Sequence, residues 1–516
     1  SIFASNIGSE HLIGLAGAGA SSGMAMAHWE IQGWMILILG WVFVPFYSRS
    51  MVYTMPEFLE RRYNPQSRTI LSVISLVSYV LTKVAVTVYA GGLVFQQVFG
   101  IKELWGIDFF WIAAIGLVVL TALYTIFGGM KSVLYTSVLQ TPILLLGSLI
   151  ILVLGFKELG GWDEMMRVCG AVTVNDYGDT MTNLIRSNDD ANFPWLGALI
   201  GSAIIGFWYW CTDQFIVQRV LSGKNEKEAR RGTIFGAYLK LLPVFLFLIP
   251  GMIAFALHQK YIGAGGEGFL PMLENGTANA DAAFPTLVAK LLPAGVKGLV
   301  VCGILAALMS SLASLFNSSA MLFTIDFYKR FRPQTSEKKL VGIGQVATVV
   351  IVILGILWIP IMRSVGDVLY TYLQDVQSVL APGIAAAFLL GICWKRTSAQ
   401  GGMWGLISGM VIGLTRLGAK VYYSNAGEVA DSTFKYLFYD MNWLFFCGWM
   451  FLFCIIVVIV VSLATEAPTA EKIQGLVFGT ATKEQKASTR ASWNHWDIIH
   501  TVIILAITGA FYWYFW

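Results

Sequence analysis

The chain has 516 residues, of which 57% are hydrophobic and 12% are charged, and its formal net charge is +4. A soluble globular protein carries about 25% charged residues, so this chain lacks the charge to cover a surface that faces water. Apolar stretches of twenty or more residues recur from end to end, and about 20 helical residues cross a bilayer. Transmembrane β-strands would be segments of about ten residues with alternating polarity. The composition therefore predicts an all-α polytopic membrane protein.

Several other classes of protein find no support in the sequence. The six cysteines are scattered without CxxC or metal-ligand spacing, and no GxxxxGK[ST] motif for nucleotide phosphates occurs. No nucleophile–base spacing indicates an enzyme, and nothing indicates a nucleic-acid partner. The abrupt start at Ser1, without a signal peptide, predicts that an N-terminal piece is missing.

The apolar segments predict thirteen helices, the first of them truncated at its N-terminus. They are 1–20, 23–47, 68–99, 105–127, 132–156, 195–220, 232–258, 298–327, 340–362, 367–393, 401–423, 436–464 and 497–516. Basic residues cluster after the second, sixth, eighth and tenth helices, which makes that side cytoplasmic. The loop 157–194, with seven acidic and three basic residues, is predicted to be external, and the linker 465–495 to be cytoplasmic.

Two of the predicted helices contain residues that interrupt a helix. The first holds Gly8 among polar residues, and the sixth holds Gly201 and Gly206 before an aromatic cluster. Four helices separate them, so each opens a block of five helices, and the two blocks have opposite orientations. Glycine is common in membrane helices, but matched breaks in inverted halves are typical of a secondary transporter with its binding site near the midplane.

Polar residues inside the spans are few, and a charge at a helix centre costs about 2.5–3.5 kcal/mol. Such residues mark either a substrate pathway or pairs that hold helices together. The set comprises Glu30, Lys83, Asp213, Lys240 and Asp375, with Asn6, His11 and Gln374. Carboxylate, amide, imidazole and ammonium groups together suit the hydroxyls of a sugar. Ser310 and Ser311 could supply oxygen ligands to sodium, although bonding to carbonyls of their own helix is the favoured interpretation of that segment alone.

Longer stretches carry a family resemblance. They include SIFASNIGSEHLIGLAG, YTMPEFLERRY, WYWCTDQFIVQR, ALMSSLASLFNSSAMLFTIDFYK and FLLGICWKR. Over nearly its whole length the chain resembles the sodium/glucose cotransporter family, within the wider sodium/solute symporters. The resemblance implies a LeuT-like fold of two inverted five-helix repeats plus peripheral helices. The transport core would be 1–396, with repeats 1–156 and 195–396, and the peripheral helices would lie in 397–516.

The resemblance also implies site residues. The sugar site would use Asn6, His11, Glu30, Tyr209, Trp210, Lys240 and Gln374. Tyr209 would form the inner gate, and the outer gate would consist of Leu15, Trp29 and Tyr370. Sodium would be held by carbonyls of Ala4, Ile7 and Ala307 and by hydroxyls of Ser310 and Ser311, which reverses the local interpretation of the two serines.

The expected function is sodium-driven uptake of a hexose, of the glucose or galactose type, by alternating access. Ser137 and Ala313 replace a carboxylate and a hydroxyl of the family, which favours one sodium per sugar. His11 is the residue of glucose-preferring members. The external loops lack the set of cysteines of animal members, which favours a bacterial inner membrane.

Two alternatives stay open, as does the oligomeric state. The same fold could carry myo-inositol, another polyol or a carboxylated solute, although a carboxylate would require an arginine near the midplane. A sugar-gated sensor or channel is the second alternative, and an acidic residue in place of Gln374 would favour it.

Overall fold

A computed structural model describes residues 6–8, 10–50, 52, 54–273, 276–365, 368–425 and 430–516, with the backbone alone at 124, 126–141 and 363–365. Its first half contains the helices α1 (Ala16–Ser22), α2 (Ala27–Glu30), α3 (Gly33–Ile38), α4 (Val44–Ser50), α5 (Met55–Arg62), α6 (Pro65–Ser78), α7 (Ala85–Phe99), α8 (Phe109–Leu159), α9 (Trp162–Gly170), α10 (Trp195–Gly206), α11 (Gln214–Leu221) and α12 (Glu226–Lys240). The strands β1 (Glu103–Leu104) and β2 (Ile107–Asp108) form a short antiparallel hairpin between α7 and α8.

The second half continues with further helices. These are α13 (Ile249–Gly263), α14 (Ala283–Leu291), α15 (Ala294–Met321), α16 (Lys329–Phe331), α17 (Glu337–Val365), α18 (Leu369–Cys393), α19 (Ala399–Asn425), α20 (Thr433–Lys435), α21 (Trp443–Ala464), α22 (Ala470–Ile473), α23 (Lys483–Ala491) and α24 (His495–Tyr514). Ten segments of the described residues are long and apolar enough to cross a membrane. The prediction of a polytopic helical protein is confirmed.

One predicted boundary between helices is wrong. The segments 105–127 and 132–156 are parts of the single helix α8, which is 51 residues long. Its two apolar parts are Phe109–Leu123 and Pro142–Leu159. Glycine costs about 1 kcal/mol in a helix interior, and close packing against α15 along α8 compensates for that cost.

Short π-helical segments interrupt the long helices at seven places in the described chain. They are Glu10–Leu15, Leu39–Phe43, Tyr79–Val84, Phe207–Thr212, Val244–Leu248, Leu322–Tyr328 and Tyr436–Asp440. A π-turn adds a residue to the helical repeat and rotates the side chains that follow, and such turns are frequent at functional sites. The first, third and fourth of them carry residues of the cavity described below.

Both predicted breaks exist, but the second lies further along the chain. Ile7 and Gly8 are not helical, whereas Asn6 and Glu10 on either side are. In the predicted helix 195–220, Gly206 at the end of α10 is still helical, and the backbone becomes extended only at Asp213. There the Asp213 carboxylate accepts a hydrogen bond of 3.2 Å from the Phe215 amide and caps α11.

The first helix is held by backbone contacts that only glycine permits. A Cβ atom on Gly251 of α13 would overlap the Ala16 carbonyl of α1, and one on Gly19 would overlap the Leu248 carbonyl. Because each helix offers a glycine to the backbone of the other, α1 and α13 approach closely. This contact fixes the helix that follows the break at Ile7 and Gly8.

We therefore expect Gly251→Ala to destabilise the protein. Overpacking costs about 1–3 kcal/mol, so the thermal midpoint in detergent should fall by about 5 °C. Gly232→Ala in α12 is the control, because no atom lies within 4 Å of a Cβ atom placed there. Equal midpoints for the two variants would contradict the packing argument.

Candidate functional site

A cavity lies where the interrupted helices meet. Six of the seven residues predicted to bind sugar line it, together with two of the three predicted for the outer gate. These are Asn6, His11, Tyr209, Trp210, Lys240 and Gln374, with Trp29 and Tyr370. Residues from distant parts of the sequence thus share one polar and aromatic chamber.

Glu30 lies directly behind the wall of this cavity and is fully buried. Its Oε2 atom is 2.6 Å from Lys240 Nζ and 3.3 Å from His11 Nε2. Its Oε1 atom accepts a 2.5 Å hydrogen bond from the Tyr370 hydroxyl. The carboxylate therefore joins three other helices, and it presents Lys240, His11 and Tyr370 to the cavity.

Some polar atoms around the cavity have no hydrogen-bond partner within the described part of the protein. They include His11 Nδ1, Gln374 Oε1 and Trp29 Nε1, which are all buried. An unsatisfied buried polar group costs about 1–3 kcal/mol. A ligand that brings several donors and acceptors would remove this cost.

A second ion pair lies on the wall formed by the predicted helices 68–99 and 195–220. Lys83, which faces the cavity, places its Nζ 3.2 Å from Oδ2 of Asp213, and the Tyr79 hydroxyl donates to Oδ1 at 3.0 Å. The same ammonium lies 4.8 Å from the centre of the Tyr209 ring. The sequence predicts no role for Lys83 and Asp213. In the structure their ion pair connects the predicted helix 68–99 to the break at Asp213.

Asp375 belongs to a different contact. It is paired with Lys420 of α19 and is not among the cavity-lining residues that the structure describes. This pair ties α18, which carries Gln374 into the cavity, to a peripheral helix.

The predicted outer-gate residues are arranged unequally. The Trp29 ring stacks on Trp443 of α21 with centroids 5.4 Å apart, and Tyr370 is held by Glu30. Leu15 is buried at the end of its π-helical segment but does not contribute to the described cavity wall.

Sequence reasoning missed four polar residues of the wall, Glu10, Gln32, Thr82 and Gln377. The Gln32 side-chain amide donates a 2.8 Å hydrogen bond to the Ser202 carbonyl. Gln32 lies between α2 and α3, where the structure interrupts the predicted helix 23–47. Gln377 follows Gln374 by three positions on α18, so helical spacing could have identified it. Nothing in the sequence distinguishes Gln32.

Of the predicted sodium residues, Ile7 lies in the first break and Ser311 lies beside it. A Cβ atom on Gly8 would be 2.7 Å from the Ser311 hydroxyl, which has no partner among the described residues. Ser310 and Ala307 of α15 are buried. Ala4 lies outside the described residues. Hydroxyls and freed carbonyls suit a hard cation such as sodium, which prefers oxygen ligands.

On the predicted external side, Asp281 joins a loop to the helix that carries Tyr370. Its carboxylate oxygens accept hydrogen bonds of 3.2 and 3.1 Å from the amide of Leu369, the first residue of α18. Burial raises the pKa of Asp281 to about 7, although the hydrogen bond from Leu369 acts in the opposite direction.

Comparison with known proteins agrees with this architecture. Residues 1–409 match the sodium:solute symporter family. The human sodium/myo-inositol cotransporter 2 is 37% identical over 493 residues, which cover 93% of this chain and 72% of that protein. The sodium/glucose cotransporter 1 of Ovis aries is 39% identical over 495 residues, which cover 90% of this chain and 72% of that protein.

Solved structures share the fold at lower identity. A Na+-coupled sialic acid symporter, in a substrate-bound outward-open state, has a TM-score of 0.67 at 20% identity, covering 91% of this chain and 89% of that chain. The transporter MhsT, in complex with L-phenylalanine, has a TM-score of 0.50 at 12% identity, covering 90% and 96%. The predicted LeuT-like fold is confirmed, while the exact repeat boundaries 1–156 and 195–396 stay a prediction.

The contact of Asp281 should make stability depend on pH. Because the pKa of Asp281 is raised from 3.8 to about 7 in the folded protein, its contribution is complete below about pH 4 and is lost as the pH rises through 7. We expect the thermal midpoint in detergent to fall between pH 6 and pH 8, and Asp281→Asn to reduce this fall.

Asp176→Asn, at an exposed position of the external loop, is the matched control and should keep the wild-type profile. If Asp281→Asn also keeps that profile, the titration of Asp281 does not contribute to the pH dependence.

Proposed function

The chain belongs to the sodium:solute symporter family, and we propose that the solute it carries with sodium is a hexose of the glucose or galactose type. The unpaired buried atoms of His11 and Gln374 support this proposal most directly. A ligand hydroxyl could pair with both atoms, because a hydroxyl both donates and accepts hydrogen bonds.

The charges of the cavity favour a neutral solute. Lys240 and Lys83 both face it, and each is already paired with a carboxylate, Glu30 and Asp213 respectively. The other charged residue of the described wall is Glu10, an acid that would repel a solute carboxylate. Among the described lining residues no arginine is present that could bind a solute carboxylate in two-pronged geometry. A carboxylated solute is therefore disfavoured.

A cyclic polyol is the second candidate. A relative with 37% identity is a sodium/myo-inositol cotransporter, and inositol offers the same hydroxyl chemistry as a hexose. The aromatic rings of Tyr209 and Trp210 could cover the C–H face of either ring. A sugar-gated sensor is less well supported, because residue 374 is an uncharged amide.

Sodium would bind between the first break and α15. The carbonyls of Ala4, Ile7 and Ala307 and the hydroxyls of Ser310 and Ser311 would be its ligands, supported by the unpaired Ser311 hydroxyl next to Gly8. With Ser137 and Ala313 at the positions of a further site, we propose one sodium per solute. A coupling ratio of two from reversal potentials would contradict this.

In the resulting cycle, sodium stabilises the break and thereby orders Asn6 and His11 for the solute. Sodium and solute then shift the equilibrium between outward- and inward-facing states by their differential affinity for the two. One charge crossing 100 mV supplies about 2.3 kcal/mol, enough for about 50-fold accumulation. The family is one of membrane transporters rather than enzymes, and a bacterial inner membrane is the proposed location.

The proposal predicts sodium-dependent uptake in proteoliposomes. Labelled glucose or galactose should accumulate only with an inward sodium gradient, and Lys240→Ala should reduce uptake at least about tenfold, because it leaves Glu30 buried without its cation. Lys338→Ala, at an exposed position, is the control.

Preferential uptake of myo-inositol would move the assignment to the second candidate. Normal hexose uptake by Lys240→Ala would remove Lys240 from the site.

A second prediction concerns sodium. Ser311→Ala should raise the sodium concentration for half-maximal uptake about tenfold, while the solute still binds at saturating sodium. Ser319→Ala is a matched control, since its hydroxyl is equally buried on α15 and also lacks a partner among the described residues. Equal shifts in the two variants would contradict the assignment of Ser311.

A further inference from the structure

Helix α17 packs beside the predicted helix 68–99, which comprises most of α6, the π-helical segment Tyr79–Val84 and α7. The two are in contact at one end and separate at the other. At Gly355 a Cβ atom would overlap the side chain of Val84, so the two helices are in contact there. At Gly342, near the start of α17, no atom lies within 4 Å of such a Cβ. The helices therefore enclose a groove that opens towards the cytoplasmic side.

The groove is large and almost entirely apolar. Its volume is about 660 Å³, and twelve of its thirteen described lining residues are apolar or glycine. Leu76 and Val80 form one wall, Val346 and Val350 the other. The remaining residue is Lys339, which is exposed at the cytoplasmic end.

The dimensions of the groove match the membrane. From Lys339 to Leu354 the helix rises about 22 Å at 1.5 Å per residue. The hydrocarbon core is about 30 Å thick, so the groove extends from the cytoplasmic interface past the midplane. An elongated apolar molecule with a polar end at the interface fits this shape.

We propose that the groove binds an acyl chain of an anionic phospholipid from the cytoplasmic leaflet, with its phosphate against Lys339. Charge complementarity selects the anionic headgroup. The segment 329–339 contains five basic residues and a single acidic one, Glu337. Basic clusters at this interface attract anionic lipids, and the apolar walls accept the chain.

Bound lipid would reach the wall of the transport cavity. Leu81 lines the deep part of the groove, and the next two residues, Thr82 and Lys83, line the cavity. These three residues belong to one π-helical segment, Tyr79–Val84. A chain packed against Leu81 thus supports the segment that presents Lys83 to Asp213.

The test uses the purified full chain in mixed micelles of phosphatidylcholine and phosphatidylglycerol. Native mass spectrometry counts the bound lipids, and a phosphatidylglycerol with a photoreactive acyl chain marks the contacted peptides. Lys339→Glu removes the charge complementarity, with Lys486→Glu, an exposed lysine outside the segment 329–339, as its control. Gly342→Trp fills the groove, with Gly116→Trp as its control, since Gly116 is also a helical glycine with open space around it.

We expect one retained phosphatidylglycerol, with crosslinks in 76–81 and 342–354. Lys339→Glu should lower the ratio of bound phosphatidylglycerol to phosphatidylcholine at least about fivefold, the factor expected for one basic residue at an anionic surface. Gly342→Trp should lose the crosslinks, and both controls should keep lipid and crosslinks.

Three outcomes would overturn the proposal: equal retention of both lipids by the wild type, crosslinks outside the groove, or a dimer in native mass spectrometry whose groove is not labelled by the lipid. Because lipid binding is measured without a solute, these outcomes are independent of the proposed hexose transport.

Discussion

The buried carboxylate of Glu30 is the contact on which the binding cavity depends. Lys240, His11 and Tyr370 approach it from three other helices, and all four residues are separated widely in sequence. In an apolar environment a charge without its partner costs about 3–5 kcal/mol. These contacts therefore favour an arrangement of the helices that brings the partners together, and in this arrangement neighbouring polar atoms face the cavity without partners among the described residues.

Irregular helices make this convergence possible. The π-helical segment Glu10–Leu15 carries His11, Phe207–Thr212 carries Tyr209 and Trp210, and Tyr79–Val84 carries Lys83. In a regular helix the 3.6-residue repeat would keep polar groups on one narrow face. An extra residue in the turn rotates the polar side chains towards the cavity. The same helix can therefore carry apolar residues on its outer surface and polar residues in the cavity wall.

Helices of the segment 397–516, which the sequence predicts to be peripheral, support residues of the cavity wall. Trp443 of α21 stacks on Trp29, and Lys420 of α19 pairs with Asp375 beside Gln374. These contacts hold Trp29 of α2 and Asp375 of α18 from the side that faces away from the cavity. A loop residue, Asp281, does the same for the start of α18. The predicted gate residues Trp29 and Tyr370 are thus linked to parts of the chain outside the cavity wall.

The sequence by itself determined the membrane class, nearly all helices, the break at Gly8 and most of the cavity residues, because hydropathy and local motifs are written in consecutive residues. It misplaced the second break, which Asp213 makes by capping α11, and it overlooked Gln32. Only the tertiary structure decided that Glu30 stands behind the cavity wall with its partners already bound. The physical reason is that the pairing of a buried charge depends on which helices meet around it. The partners of Glu30 come from other helices, so the residues next to it in the sequence do not identify them.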